Sequence, residues 1–316
     1  MSGDIVKMPK VELHLHLDGS VSLELLEKFS GYSHDVVKEK VISNNDGTLE
    51  DYLAHFNFIN NYLQTKENLE MASFTLGHDL LAENVVYAEI RFSPLIHTKG
   101  GLTSKEVVDS VLKGLKRSGL KFNLILCMIR GESISYNKEV IELANSYLNK
   151  GVVAVDLAGD EENYPFTDYE YLFKLCQYAN IPTTIHAGET SKRDILKVIP
   201  YTKRIGHGIK IIDDEELINQ IITNNIFLEV CPNSNLDTKN VLSYDVHPIK
   251  KLYQKGVKVS INTDNRTVSD ITLTEEYFNL VEYLNFTYDD LIKMNLNAID
   301  AAFLKEEEKQ ALRMMY

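Results

Sequence analysis

At 316 residues, with 44% hydrophobic and 25% charged residues, the chain has the composition of a folded globular protein, long enough for two average domains or one large α/β barrel. Its 33 basic and 46 acidic residues leave a net charge of −13, which argues against nucleic acid and anionic membrane surfaces as partners. Three cysteines (Cys127, Cys176 and Cys231) are too few and too scattered for a disulfide framework, and the start MSGDIVKMPK lacks the apolar run of a signal peptide, so a reducing cytoplasm is the expected compartment.

Near the start, Val11, Leu13, Leu15 and Leu17 alternate with Glu12, His14, His16 and Asp18, a period of two that predicts a β-strand. Residues two apart share a strand face, so His14 and His16 project side by side, and two neutral imidazoles on a rigid strand are most of a zinc site. Residues 20–84 read as a helical insertion, with a helix opening at Ser22–Glu27, a turn at 43–47 (SNNDG), and helices over about 49–65 and 67–83. Val85–Phe92 is a second strand, closed by Ser93-Pro94. Thr103 caps an amphipathic helix running to Arg117, and Lys121–Ile129 is a third strand of buried type.

A helix over 136–149 ends at Gly151, and a fourth strand covers Val152–Gly159. A helix over 168–179 leads to a fifth strand, Pro182–His186, and Ser191 with Asp194 has the spacing of a capping box. Arg204–Gly208 is the sixth strand, Ile226–Val230 the seventh and Val257–Asn262 the eighth, the last two each preceded by a helix; the chain from about 272 is helical. Strand and helix alternate eight times with short connections, which forces parallel pairing with right-handed crossovers. The prediction is an α/β fold, a (β/α)8 TIM-type barrel with a helical insertion after the first strand and extra C-terminal helices; a doubly wound sheet ranks second. No linker, repeat or low-complexity tract divides it, so 1–316 reads as a single domain, and no stretch reaches membrane-spanning length.

The ionisable residues collect at strand ends. Strand one ends in His14, His16 and Asp18, strand five in His186-Ala187-Gly188-Glu189, strand six in Gly206-His207-Gly208, and strand eight in Thr263-Asp264-Asn265. Each has a plain reading alone: a core histidine, a helix-start carboxylate, a tight turn, an N-cap. In a barrel the four ends ring one mouth, and a shared site explains all four together. His34, His55, His78, His97 and His247 fall in predicted helices or loops and are assigned no chemistry.

The ordered set PKVELHLHLDGS, EIRFSP, DLAGDE, HAGE, GHG, CPNSN and NTD, from residue 9 to about 266, resembles the adenosine deaminase family of zinc aminohydrolases. The resemblance implies one zinc ion per chain on His14, His16, His186 and Asp264. It makes Glu189 the proton donor to the purine ring, His207 the partner of the attacking water, and Asp264 a hydrogen-bond acceptor as well as a ligand. It places substrate against His16, Asp18 and the backbone of Gly159. The implied reaction is hydrolysis of adenosine, and of 2′-deoxyadenosine, to inosine and ammonia by a zinc-activated water. The partner is then a small purine nucleoside, and no obligate protein partner is evident. Adenine deaminases and deaminases of modified adenosines share the pattern, although adenine deaminases tend to carry glutamate at the position of Asp18; a catalytically silent binding protein ranks last.

One position departs from the family pattern. Many members follow the last motif's aspartate with a second aspartate and proline, where Asn265-Arg266 stands here; the Asn265 amide can donate to a purine imidazole nitrogen without carrying a proton. Two other hydrolase types fit less well. The fourth strand has no bridging lysine for a two-metal centre, and the cytidine-deaminase motifs H-x-E and P-C-x-x-C are missing.

Overall fold

The computed structural model describes residues 2–43 and 49–316, with side chains over 3–43 and 55–316; apart from Ser43, the turn expected at 43–47 lies outside them. Eight strands occur among these residues: β1 (Lys10–His16), β2 (Val85–Phe92), β3 (Phe122–Ile129), β4 (Val152–Ala158), β5 (Ile185–Ala187), β6 (Arg204–His207), β7 (Phe227–Val230) and β8 (Lys258–Ile261). They pair in parallel and in sequence order as two four-stranded ladders, β1 to β4 and β5 to β8.

Two seams join the ladders. At one, Val155 N–H donates to the Pro182 carbonyl (3.1 Å) and Thr184 N–H to the Val155 carbonyl (3.0 Å). At the other, Asp264 N–H donates to the His14 carbonyl (3.0 Å) and His16 N–H to the Asp264 carbonyl (2.7 Å). The sheet therefore closes into a (β/α)8 barrel, and the doubly wound alternative is excluded. The second seam also binds the backbone of one end of the chain to the other, 250 residues away, at the three residues whose side chains matter most below.

The helices follow from capping and periodicity. Helix α1 (Ser2–Lys7) precedes β1 and was not anticipated from the sequence. The insertion holds α2 (Leu23–Ser30), α3 (His34–Val41), α4 (Leu49–Tyr62) and α5 (Lys66–Ala82). Helix α6 (Ser104–Ser118) starts with a full capping box between Thr103 and Glu106 and stops at Gly119, whose φ of 84° no β-carbon would favour. Helices α7 (Ile134–Tyr147), α8 (Glu170–Tyr178), α9 (Ile195–Val198), α10 (Glu215–Thr223), α11 (Pro232–Asp237) and α12 (Ile249–Gln254) alternate with the later strands. Helices α13 (Leu273–Leu284), α14 (Tyr288–Ala301) and α15 (Glu306–Arg313) end the chain.

The last helices close the amino-terminal end of the barrel. Asn295 accepts from Val11 N–H (2.9 Å), and the Tyr316 hydroxyl donates to the Pro9 carbonyl (2.6 Å). The opposite mouth stays open for ligand.

Two local expectations need correction. Ser191 caps nothing: Asp194 stands at the start of α9, its carboxylate accepts from Phe166 N–H (2.7 Å), and no side-chain cap forms. The fifth strand begins at Ile185, because Pro182 and Thr183 only bridge to β4. The CPNSN stretch is the start of a helix, α11, with Pro232 in its first turn, where a missing N–H costs nothing.

Candidate active site

The alternation in β1 sets His14 and His16 on one face, and the seam with residue 264 brings an aspartate to them. His14 Nε2 and His16 Nε2 each lie 3.3 Å from Asp264 Oδ1. The His186 ring, from β5, has its centroid 4.5 Å from that of His14 and 5.4 Å from that of His16. One ligand atom from each of His14, His16, His186 and Asp264 falls within 4.8 Å of the others. A tetrahedral ion about 2.1 Å from each ligand needs ligand atoms about 3.4 Å apart. His14 Nε2 and Asp264 Oδ1 are buried with no hydrogen-bond partner among the described residues, an arrangement that an ion would complete.

The electrostatics suit a cation. Burial, with Arg91 and His186 adding to it, lowers the His14 pKa; burial also takes His16 well below the usual histidine range. Both rings therefore keep a lone pair. Burial opposes ionisation of Asp264, but the surrounding histidines hold its carboxyl well below the ordinary range. A second grouping of His14, His207, Cys231 and Asp264 is equally compact. It is the weaker donor set, because burial raises the Cys231 thiol well above its usual pKa and its Sγ lies 3.6 Å from the Glu229 carbonyl.

Glu189 and His207 face the same space. His207 Nε2 is 3.7 Å from Glu189 Oε2 and 3.9 Å from Asp264 Oδ2. Burial raises the Glu189 pKa, with the Asp264 and Glu161 carboxylates adding to it, so the acid form persists to higher pH than in a free glutamate. His207 and Asp264 both sit at strand ends with φ of 62°, a left-handed conformation that costs about 1–3 kcal/mol for such residues and clusters at functional sites. Gly206 must be glycine: a β-carbon there would lie 2.9 Å from His14 Cε1.

A cavity of about 890 Å³ opens over this cluster, lined by His16, Asp18, Gly159, His186, Glu189, His207, Asp264 and Asn265 among others. That volume suits a nucleoside-sized ligand. Strand β1 ends at His16, so Asp18 reaches the cavity from a turn and not by continued alternation. Its carboxyl is pushed up to about 6 by burial, and Oδ1 has no hydrogen-bond partner among the described residues. A β-carbon on Gly19 would overlap the Asn265 side chain, so the Asp-Gly pair serves the cavity wall as well as the turn.

The model of the adenosine deaminase family matches residues 9–315. An adenosine deaminase of Clostridium perfringens is 43% identical over 98% of both chains, and one of Clostridium acetobutylicum is 41% identical over 96% of both. In structure, the N6-methyl-AMP deaminase of Arabidopsis thaliana superposes with a TM-score of 0.88 at 25% identity, covering all of this chain and 98% of that one. The chain belongs to the adenosine deaminase family.

Several residues of this deaminase-family site were not singled out from the sequence. Arg91, fully buried in β2, donates through Nη1 to Asp156 Oδ2 (2.8 Å) and through Nη2 to Glu229 Oε2 (2.7 Å). Those carboxylates in turn face the far nitrogens of two of the candidate ligand histidines: His14 Nδ1 lies 2.8 Å from Glu229 Oε2, and His186 Nδ1 2.8 Å from Asp156 Oδ2. Arg204 Nε adds a contact to Glu229 Oε1 (2.6 Å) and ties in Glu89. Glu161 accepts from Gly188 N–H (2.9 Å) and Ser191 N–H (2.9 Å), which pins the loop carrying Glu189. The available signal was a charge inside a buried-type strand, as in VVYAEIRF, VVAVDLA and IFLEV. Of the histidines given no chemistry, His55 lines the cavity and His247 lies behind His207.

Partners that orient metal-ligand histidines are typically worth 10–100-fold in metal affinity. Asp156→Asn should therefore weaken metal binding by roughly that factor, read by competition with a chelator. Unchanged affinity would show that the Asp156 carboxylate does not orient His186.

Proposed function

We propose that this chain hydrolyses adenosine and 2′-deoxyadenosine to inosine and ammonia, as one domain with one zinc ion held by His14, His16, His186 and Asp264. When bound, the ion supplies an activated water at neutral pH. The observation that carries the reading is Glu189: a carboxyl whose pKa burial raises, on the same face of a nucleoside-sized cavity as the four metal-type donors. Attack at the ring carbon bearing the amino group drives electrons onto the adjacent ring nitrogen. Protonated Glu189 delivers a proton there; one proton of the attacking water then goes to the amino group, which leaves as ammonia, and the other restores the Glu189 carboxyl as the new C=O forms.

Thr238 Oγ1 and Asn240 Nδ2 approach Glu189 Oε1 at 3.3 and 3.4 Å and hold the carboxyl in place. Ser234 Oγ donates to Asp264 Oδ2 (2.6 Å), which leaves Oδ1 toward the histidines. His207 Nε2 lies between the two carboxylates, where it partners the attacking water. Gly159 follows β4 with φ of 101° and offers its backbone to the purine, and Asn265 offers an amide to the imidazole side.

The cavity wall also argues for a nucleoside over a nucleotide. Asp18, Glu132, Asp160, Glu161 and Glu162 line it, and no lysine or arginine does among the described residues. A 5′-phosphate would meet like charge in partly desolvated surroundings. Three cysteines, all buried and none in a disulfide, suit a reducing cytoplasm, and no helix among the described residues is long and apolar enough to cross a membrane.

The test is an ultraviolet assay on adenosine, 2′-deoxyadenosine, adenine, AMP and N6-methyl-AMP. Adenosine should be best, with AMP and adenine at least about tenfold worse in kcat/KM, the worth of one lost charge-assisted hydrogen bond. Asp18→Ala should cost adenosine about 10–100-fold and 5′-deoxyadenosine much less, with zinc retained. Preference for either AMP would refute the nucleoside reading; equal losses on the two nucleosides would mean that Asp18 only holds its turn.

A further inference from the structure

His207 has a second side, and what it meets there decides what its first side can do. Its ring is buried at the end of β6, with Nδ1 turned away from the cavity toward Asn235 of α11 at 3.0 Å from Nδ2. Asn235 is fully buried, and its Oδ1 lies 3.2 Å from Nε2 of His247, also buried. His247 Nδ1 accepts from the backbone N–H of Ile249 (3.2 Å).

The direction of every bond in this row follows from its far end. Ile249 opens α12, where the first N–H groups of a helix have no carbonyl to meet. A backbone N–H only donates, so His247 Nδ1 must accept. Burial lowers the His247 pKa to about 3, so the ring is neutral and its one proton sits on Nε2. That proton goes to Asn235 Oδ1. The amide is thereby oriented with its NH2 toward His207, and His207 Nδ1 must in turn accept. With Nδ1 accepting, the ring proton of His207 is on Nε2. On the cavity side Nε2 faces Asp264 Oδ2 at 3.9 Å, and the ionised Asp264 carboxylate can only accept.

We propose that Asn235 and His247 are positioning residues that fix His207 as the Nε2–H tautomer, so that it meets the attacking water as a hydrogen-bond donor and not as a base. Neither Asn235 nor His247 lines the cavity, and both act through His207. The kinetic side of this inference rests on the deaminase reading, whereas the tautomer does not.

The test uses zinc-loaded protein labelled with 15N-histidine, in which protonated and unprotonated ring nitrogens have well separated shifts. In the wild type, His207 and His247 should both show a protonated Nε2 and a bare Nδ1. Asn235→Asp keeps the shape and the bond from His247 but replaces the NH2 by an acceptor. It should move a proton onto His207 Nδ1 and lower kcat by about 10–100-fold, with KM changed by no more than about threefold. At the far end, His247→Gln can still donate to Asn235 and should keep the wild-type His207 pattern and most of kcat, whereas His247→Leu should lose both. This pair carries the test if Asn235→Asp does not fold.

A proton on His207 Nδ1 in the wild type, unchanged His207 shifts in Asn235→Asp, or equal loss in the Gln and Leu variants would each overturn the proposal. The expected shifts in a wild-type protein that leaves adenosine untouched would overturn the deaminase reading and support the relay.

Discussion

Asp264→Ala should leave the protein without bound zinc and lower turnover of adenosine by about a thousandfold or more. The reason is its place in the donor set. Asp264 Oδ1 is 3.3 Å from both His14 Nε2 and His16 Nε2, and Ser234 holds the other oxygen. Removing the carboxylate leaves three imidazoles with no anion to balance a divalent charge. A metal's electrostatic help to such a reaction is several kcal/mol, and each 1.4 kcal/mol is about tenfold in rate. His186→Ala should behave alike, because it removes the one donor that β5 offers to the proposed site. Metal analysis together with a rate assay checks both. Two ions per wild-type chain, or full zinc retention in both variants, would refute the assigned centre.

Glu189→Gln should separate proton delivery from metal binding. Glutamine fills the same space and can still approach Thr238 and Asn240, which lie 3.3 and 3.4 Å from Oε1. It has no acidic proton to give. Turnover should fall by about 10²–10⁴-fold, the usual worth of a positioned acid, while zinc content and KM stay near the wild-type values. The raised pKa of Glu189 also has a sign. The acid form is the active one, so the wild-type rate should fall as pH rises through that raised value, and the variant should lose that limb of the profile. Near-normal turnover in Glu189→Gln would mean that another group protonates the ring.

Much of the barrel was legible because its signals are local. The alternation of Val11, Leu13, Leu15 and Leu17 specified a strand and put His14 and His16 on one face of it, whatever lay around them. Thr103 announced a helix start that the structure has, closed by a capping box with Glu106. Ser191 and Asp194 had the same kind of spacing and form no cap, because Asp194 is used by the backbone of Phe166, 28 residues earlier. A short-range motif holds only where no distant group competes for its side chain. Helix α1 and helix α11 went unforeseen for a related reason: at six residues each, they are too short for a 3.6-residue period to stand out.

By itself the sequence determined the order of strands and helices and the presence of metal-type and acidic side chains at four strand ends. Those properties depend on residue type and near neighbours. The tertiary structure alone decided which distant groups face each other. Arg91 meets Asp156 across 65 residues and Glu229 across 138, and Asn235 lies between His207 and His247. It also decided how each titratable group behaves, since burial and neighbouring charge, neither written in local spacing, raise Glu189 and lower His14, His16 and Asp264. Side-chain partnership across a closed barrel depends on strand register and ring closure, which no window along the chain contains.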